Sequence, residues 1–447
     1  MLKNKFGINK SSLFYTIVWI CFFLSINVNP EKIYELNIVN TARLIFPFVL
    51  PCLLIPYLLK NYDLDYKNNI LTTTPFISYI VIVSIFLLIN KNSNSYLNIY
   101  WAIAMLIPYM YLLFFKNDSS QLKQKLVWSL LLLIFIFTYY LYQAIYPIFV
   151  EKKLIHFYGI YAPNLFYIDS NNYPPRSSGM ARMALIVSIS ATIYLLFRKN
   201  NFYASFLLFI LAILSSTFCL LFQSRTMSLI YLCLMFLLTL IILYRNFIKN
   251  YKKCFLLLLI PFVLALIYNQ LLFNQNNKVS TTLSQNKVST TNAGIINSSK
   301  NLFTRNQQEN FSSNRFENWK TIIEISRTDK FIIGYGFQAD RKLINQSVHN
   351  VYLYALISGG ILGLLLIICI SIRSAWTSFF LLFNYSILKK ELKPIDLISS
   401  FLILLFLLRG LLETSYGIYS IDYLFFIICY FINEVNYRKF KYTKFVC

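Results

Sequence analysis

The chain alternates long apolar runs with short polar breaks. Apolar stretches close to the ~20 residues that cross a bilayer as a helix recur at about 12–28, 41–59, 73–90, 97–115, 126–149, 180–197, 202–222, 226–244, 255–272, 350–372, 395–411 and 416–434. This pattern predicts an all-α, polytopic integral membrane protein of about 12 transmembrane helices. A further short run, 376–388, reads as an extension of the helix before it. Counted as a span, it would put Lys389, Lys390 and Lys393 outside, together with Arg438, Lys439, Lys441 and Lys444. That opposes the cytoplasmic bias of lysine and arginine. Residues 12–28 follow Lys3, Lys5 and Lys10 with no small-residue cleavage site, so they read as a retained first span.

The polar breaks are unequal. Most are short, but two are long, about 150–179 and 273–348. With both termini cytoplasmic, both long loops fall on the outer face. The expected organisation is helices 1–9 over 1–272, a large periplasmic loop between spans 9 and 10 over 273–348, and helices 10–12 with a cytoplasmic tail over 349–447. Residues 273–314 are rich in Asn, Ser, Thr and Gln and repeat Asn277-Lys-Val-Ser-Thr-Thr282 as Asn286-Lys-Val-Ser-Thr-Thr291. Such a segment buries too little to offset its ordering entropy and is expected to be disordered. Over 315–328, Phe316, Trp319, Ile322 and Ile323 recur at helical spacing among charged residues. This predicts an amphipathic helix at the membrane surface.

Composition narrows the function classes. The chain is 57% hydrophobic and 13% charged, with a formal net charge of +24. Most lysines lie in short loops expected to be cytoplasmic, so topology accounts for the charge and no nucleic-acid partner is expected. The eight cysteines make no CxxC pair and avoid both long loops, so neither a disulfide framework nor a metal site is expected. No P-loop, HExxH or nucleophile elbow is present. Asp63-Leu-Asp65 resembles a metal-binding DxD but falls in a short cytoplasmic loop and reads as a solvated pair. Gly359, Gly360 and Gly363 read as a helix-packing surface.

The candidate chemistry gathers at the outer helix ends. His349 is one of only two histidines and opens the tenth span. A neutral imidazole there can act as a general base toward an acceptor hydroxyl; contact with lipid headgroups is the plain alternative. Asn350 can orient it or a sugar. His156, in the other long loop, has a weaker setting. Arg43, Arg176, Arg182, Arg225 and Arg409 lie at outer ends of spans, against the positive-inside trend. Guanidiniums make bidentate contacts to phosphate, so such a cluster suits a lipid pyrophosphate; snorkelling to headgroups is the alternative. Glu413 can pair with Arg409 or bind sugar, and the pair is the favoured reading.

These pieces resemble, in order, the O-antigen ligase and O-antigen polymerase superfamily of bacterial envelope glycan assembly. Arg176-Ser-Ser-Gly179 looks like its Arg-x-x-Gly element, and Ser224-Arg225 like its Ser-Arg element. Arg315-x-x-x-Trp319, with Gly334-Tyr335-Gly336 after it, is similar to the segment before the signature helix. His349-Asn350-x-Tyr352-Leu353 looks like the signature itself. The resemblance covers about 170–370 and departs from the family after Gly179, where Met180-Ala-Arg-Met183 replaces the usual Asn-Pro-Asn-like tail.

The resemblance implies a metal-independent glycosyltransferase, without cofactor, in the bacterial inner membrane and acting at its periplasmic face. It would be an O-antigen ligase-like enzyme moving an oligosaccharide from undecaprenyl pyrophosphate to lipid A-core. The alternative is an O-antigen polymerase joining lipid-linked repeats. His349 would be catalytic, Arg176 and Arg225 would bind the pyrophosphate, and Arg315, Arg182 and Arg409 would assist. Two readings from other classes stay open. One is a polyprenyl-phosphate sugar transferase with Glu31 or Glu35 as its acid. The other is a lipid-linked oligosaccharide flippase, against which stand charges at helix ends rather than mid-membrane and no repeat of spans.

Overall fold

The computed structural model describes residues 10–26, 38–60, 70–89, 95–115, 118–150, 177–197, 201–222, 224–244, 248–285, 315–327, 332–344, 346–384 and 393–446. Among these the regular structure is entirely helical. The helices are α1 (Lys10–Cys21), α2 (Ile38–Lys60), α3 (Ile70–Ile89), α4 (Ser95–Leu113), α5 (Ser119–Val150), α6 (Ser177–Phe197) and α7 (Phe202–Leu221). They continue as α8 (Arg225–Tyr244), α9 (Ile248–Gln285), α10 (Arg315–Arg327), α11 (Ala339–Ile344), α12 (Val351–Asn384), α13 (Pro394–Gly410) and α14 (Ile421–Val446).

Each of the twelve apolar stretches contributes a helix. Six of the helical stretches are long and apolar enough to cross a membrane: Ser119–Tyr142, Gly179–Phe197, Phe202–Leu221, Thr226–Tyr244, Lys252–Leu271 and Val351–Asn384. Shorter apolar helical stretches lie at Ser12–Ser25, Leu44–Leu53, Thr74–Phe86 and Tyr100–Leu113. The molecule is a multi-pass helical membrane protein. Helix α9 runs on to Gln285, beyond the end of its apolar stretch at about 272. The first copy of the direct repeat is therefore helical, and the second lies outside the described residues, as do residues 151–176 of the other long loop with His156 and Arg176, and Asp63, Asp65, Glu31 and Glu35.

The run 376–384 continues α12 without a break. The break in that helix lies earlier, at Gly360, which adopts φ 60, ψ −161. An interruption there strips carbonyls of their i+4 partners, and unpaired backbone groups inside apolar surroundings are costly. The Gly334-Tyr335-Gly336 segment supplies the missing donors: Tyr335 N–H to Ile357 O at 2.8 Å and Gly336 N–H to Ser358 O at 2.8 Å. A Cβ on Gly334 would meet Ser358 O at 2.2 Å, and one on Gly360 would meet Ile332 O at 2.1 Å, so the interlock requires glycine on both sides. The packing-surface reading of the 359–363 glycines is corrected for Gly360. Gly359 does face a neighbouring helix, with Val83 on α3 at 3.1 Å from a would-be Cβ, whereas a Cβ on Gly363 would first meet the Ala355 carbonyl of its own helix at 2.8 Å.

Helices α6, α13 and α14 are the most deeply buried, and α12 packs on α13 and α14. Helix α13 is largely buried along its length, and α14 is buried from Tyr423 to Ile432. They run antiparallel: Arg409 at the end of α13 meets Asp422 at the start of α14, and Asp396 at the start of α13 meets Asn436 near the end of α14. Helices α10 and α11 form a small separate core against the head of α12, built on Ile322, Ala339, Val348, Tyr354 and Ile357.

Candidate functional site

The site is assembled where α12 begins and α13 ends. Asn350 caps α12: its side-chain oxygen accepts the N–H groups of Tyr352 at 2.9 Å and Leu353 at 3.0 Å. Its amide donates to Leu411 O at 2.9 Å. Asn350 therefore ties the helix head to the turn after α13.

Val348, just before His349, is held from both sides. Its N–H donates to Asp340 Oδ2 at 3.1 Å, and its carbonyl accepts the Trp319 indole N–H at 2.7 Å. Burial raises the Asp340 carboxyl above its ordinary range, although the backbone N–H groups of Val348 and Arg341 and the Arg341 charge pull it down. Thus α10 turns Trp319 and Ile322 inward to the small core, and only Phe316 and Ile323 of its expected apolar face stay exposed.

His349 has φ 51, in the left-handed region that a non-glycine residue seldom occupies. The other positive-φ non-glycine residues among those described are Gln338, whose N–H donates to Tyr354 Oη, and Ser415, which bonds Asp422. Such conformations cost about 1–3 kcal/mol each and gather where the surroundings impose a function. Here the imposed result is a contact: His349 Nδ1 lies 2.7 Å from Glu413 Oε2. Glu413 Oε1 accepts Arg315 Nη2 at 3.1 Å, and Arg315 Nη1 donates to Leu412 O at 3.0 Å. Burial pushes the Glu413 carboxyl up, but the His349 hydrogen bond and the His349, Arg409 and Arg315 charges outweigh it and hold the carboxyl below the usual carboxylate range. An ionised Glu413 accepts from Nδ1, and in the neutral imidazole this leaves Nε2 as the acceptor nitrogen.

A second cluster adjoins the first. Arg182, from the second turn of α6, lies 3.3 Å from Asp422 Oδ1, and Arg409 Nη1 contacts Asp422 Oδ2. Ser415 Oγ donates to Asp422 Oδ2 at 3.1 Å. Across both clusters three guanidiniums face two carboxylates. The Nε groups of Arg182 and Arg409 are buried without a hydrogen-bond partner.

The structure therefore brings together His349, Asn350, Arg182, Arg315 and Arg409 of the expected site. Arg176 lies outside the described residues; Arg225 opens α8, and its side chain is not described, nor is that of Arg43. The expected Glu413–Arg409 pair is corrected: Glu413 is bound by His349 and Arg315, and Arg409 by Asp422. Arg315 is committed to Glu413 and Leu412 O, so it positions the histidine's partner. Sequence reasoning missed Asp422 and Asp340. The available signal for Asp422 was an acid opening an apolar helix, a costly place for a charge without a purpose.

Fold and site together define a multi-pass helical membrane protein whose polar centre gathers three guanidiniums, a histidine and two carboxylates. Residues 210–368, about a third of the chain, match the family model described as O-antigen ligase, so this segment is similar to that family. The matched segment carries Arg225, Arg315 and His349; Glu413, Arg409 and Asp422 come from beyond it. No curated protein matches the chain.

Proposed function

We propose that the protein is an O-antigen ligase-like glycosyltransferase that moves an oligosaccharide from undecaprenyl pyrophosphate to a hydroxyl of lipid A-core at the periplasmic face of the inner membrane. The observation that carries this reading is the His349 Nδ1–Glu413 contact at 2.7 Å, which prepares Nε2 as a base. The acceptor hydroxyl attacks the anomeric carbon while His349 Nε2 takes its proton. The bond between that carbon and the pyrophosphate oxygen breaks, and the lipid pyrophosphate leaves with the electron pair. Arg182 and Arg409, with Arg176 and Arg225 as further candidates, offset its charge as a metal would elsewhere. The acceptor's sugar and the membrane lipid complete the partner set.

Deletion of the gene followed by electrophoresis of the envelope glycans tests the reading. Loss of all long chains from lipid A-core, with lipid-linked polymer accumulating, is the expected result. A core bearing a single repeat would instead make the protein a polymerase, and unchanged glycans would contradict both activities.

A further inference from the structure

Asp422 carries no step of the proposed reaction, yet it is wholly buried between the two arginines with unused donors. Its two oxygens are treated unequally. Oδ2 takes Arg409 Nη1 and the Ser415 hydroxyl. Oδ1 has only Arg182 Nη1, at 3.3 Å and without the alignment of a hydrogen bond. The Arg182 side chain is 18% exposed and that of Arg409 9%. Arg182 is thus the more open and the more loosely held of the pair. One carboxylate cannot neutralise two guanidiniums, and a buried N–H without an acceptor is a standing cost that an incoming acceptor relieves.

We propose that Asp422 is an internal counter-anion: it keeps Arg182 and Arg409 together in the empty site, yields Arg182 to the diphosphate of the lipid donor, and weakens diphosphate binding enough for the product to leave. This rests on the proposed donor chemistry. Asp422 is a positioning residue that acts through the arginines and touches no reacting atom. A purely structural role would make every substitution here worse. Competition for the arginines makes one substitution better.

The test is a cycle of variants purified into nanodiscs, with direct binding of undecaprenyl pyrophosphate and, in parallel, of inorganic pyrophosphate. Arg182→Gln leaves Arg409 fully matched by Asp422, and binding is expected to weaken roughly tenfold or more, a loss of about one decade in Kd. Arg182→Gln with Asp422→Asn keeps the net charge of the wild-type cluster and is expected to return to within about threefold of wild type. Asp422→Asn alone, where it folds, is expected to bind more tightly and to show stronger inhibition by the lipid product. The decisive comparison needs only Arg182→Gln and the double variant, so poor folding of Asp422→Asn does not remove it. A double variant that binds as weakly as Arg182→Gln overturns the proposal while leaving the donor reading intact. A ranking absent with inorganic pyrophosphate overturns it too, because the effect would then lie in the lipid tail. Wild-type protein that binds no undecaprenyl pyrophosphate overturns the donor reading itself.

Discussion

The same helices carry a polar cluster at each end, and the two are built differently. At the far end from His349, Arg373 on α12 makes a two-bonded pair with Glu434 on α14, at 2.7 and 3.0 Å, and lies over the Tyr437 ring. Asp396 receives Lys123 at 2.8 Å, Asn436 at 2.7 Å and the Lys393 N–H at 2.8 Å. Asn433 links Ser378 and Ser399, which joins α12, α13 and α14. Both carboxylates there are saturated, and the orphaned atom nearby, Gln124 Nε2, is neutral. At the His349 end, charged groups remain unmatched: two guanidinium Nε atoms and Asp422 Oδ1. Left-handed backbone at His349, Gln338 and Ser415 is confined to this end among the described residues. The two ends are separated by about twelve residues of α14, or ~18 Å of helix. The lesson is that polarity within a membrane bundle does not by itself mark a site. A closed network pins helix register, whereas an unmatched and strained one is prepared for a ligand.

Substitutions at the two ends should separate rate from stability. Glu413→Gln removes the charge that fixes the His349 ring and is expected to lower kcat by about 10²-fold or more, with the protein still inserted. Steady-state transfer in reconstituted membranes measures this. Arg315→Gln keeps the His349–Glu413 contact but loses its brace, and a fall of about tenfold in kcat/KM is expected. The same variant should shift the acid limb of the pH–stability profile, followed by thermal unfolding across pH. Glu413 is held below the usual carboxylate range in the folded protein. Its contribution is therefore present above the ordinary carboxylate pKa and is lost only as pH falls through the depressed value. Removing Arg315 withdraws one of the charges that lower it, so the limb moves to higher pH; an unmoved limb would sever Arg315 from the dyad. Arg373→Gln, at the closed end, leaves the Glu434 carboxylate buried and unpaired. Stability should fall by about 1–3 kcal/mol, less than for a wholly buried pair because Arg373 is itself a third exposed. The transfer rate per folded molecule should stay unchanged, and a rate loss there would erase the contrast between the ends.

Much of the bundle was legible because hydropathy reports the bilayer directly. Each apolar stretch became a helix, and 376–384 proved to be the continuation of α12. His349, Arg182 and Arg409 stood out through placement: ionisable groups at apolar helix ends carry a cost that invites a reason. Their partners were not legible, because they are set by packing between distant segments. Glu413 meets a histidine 64 positions earlier and an arginine 98 positions earlier, so proximity in sequence pointed to Arg409 instead. Asp422 was hidden for the same reason, although acids are scarce, 17 against 41 basic residues, and one at the head of an apolar helix was informative. The break at Gly360 could not be read either. A glycine pair suits both a packing face and a kink, and only the docking of Gly334-Tyr335-Gly336 decides between them.

The most direct measurement is the initial rate of glycan transfer from undecaprenyl pyrophosphate by His349→Ala, reconstituted beside wild type at equal helical content. The account predicts no detectable transfer, with binding of the lipid pyrophosphate retained because Arg182 and Arg409 are untouched. Transfer near the wild-type rate would contradict a base at His349 and with it the role given to Glu413.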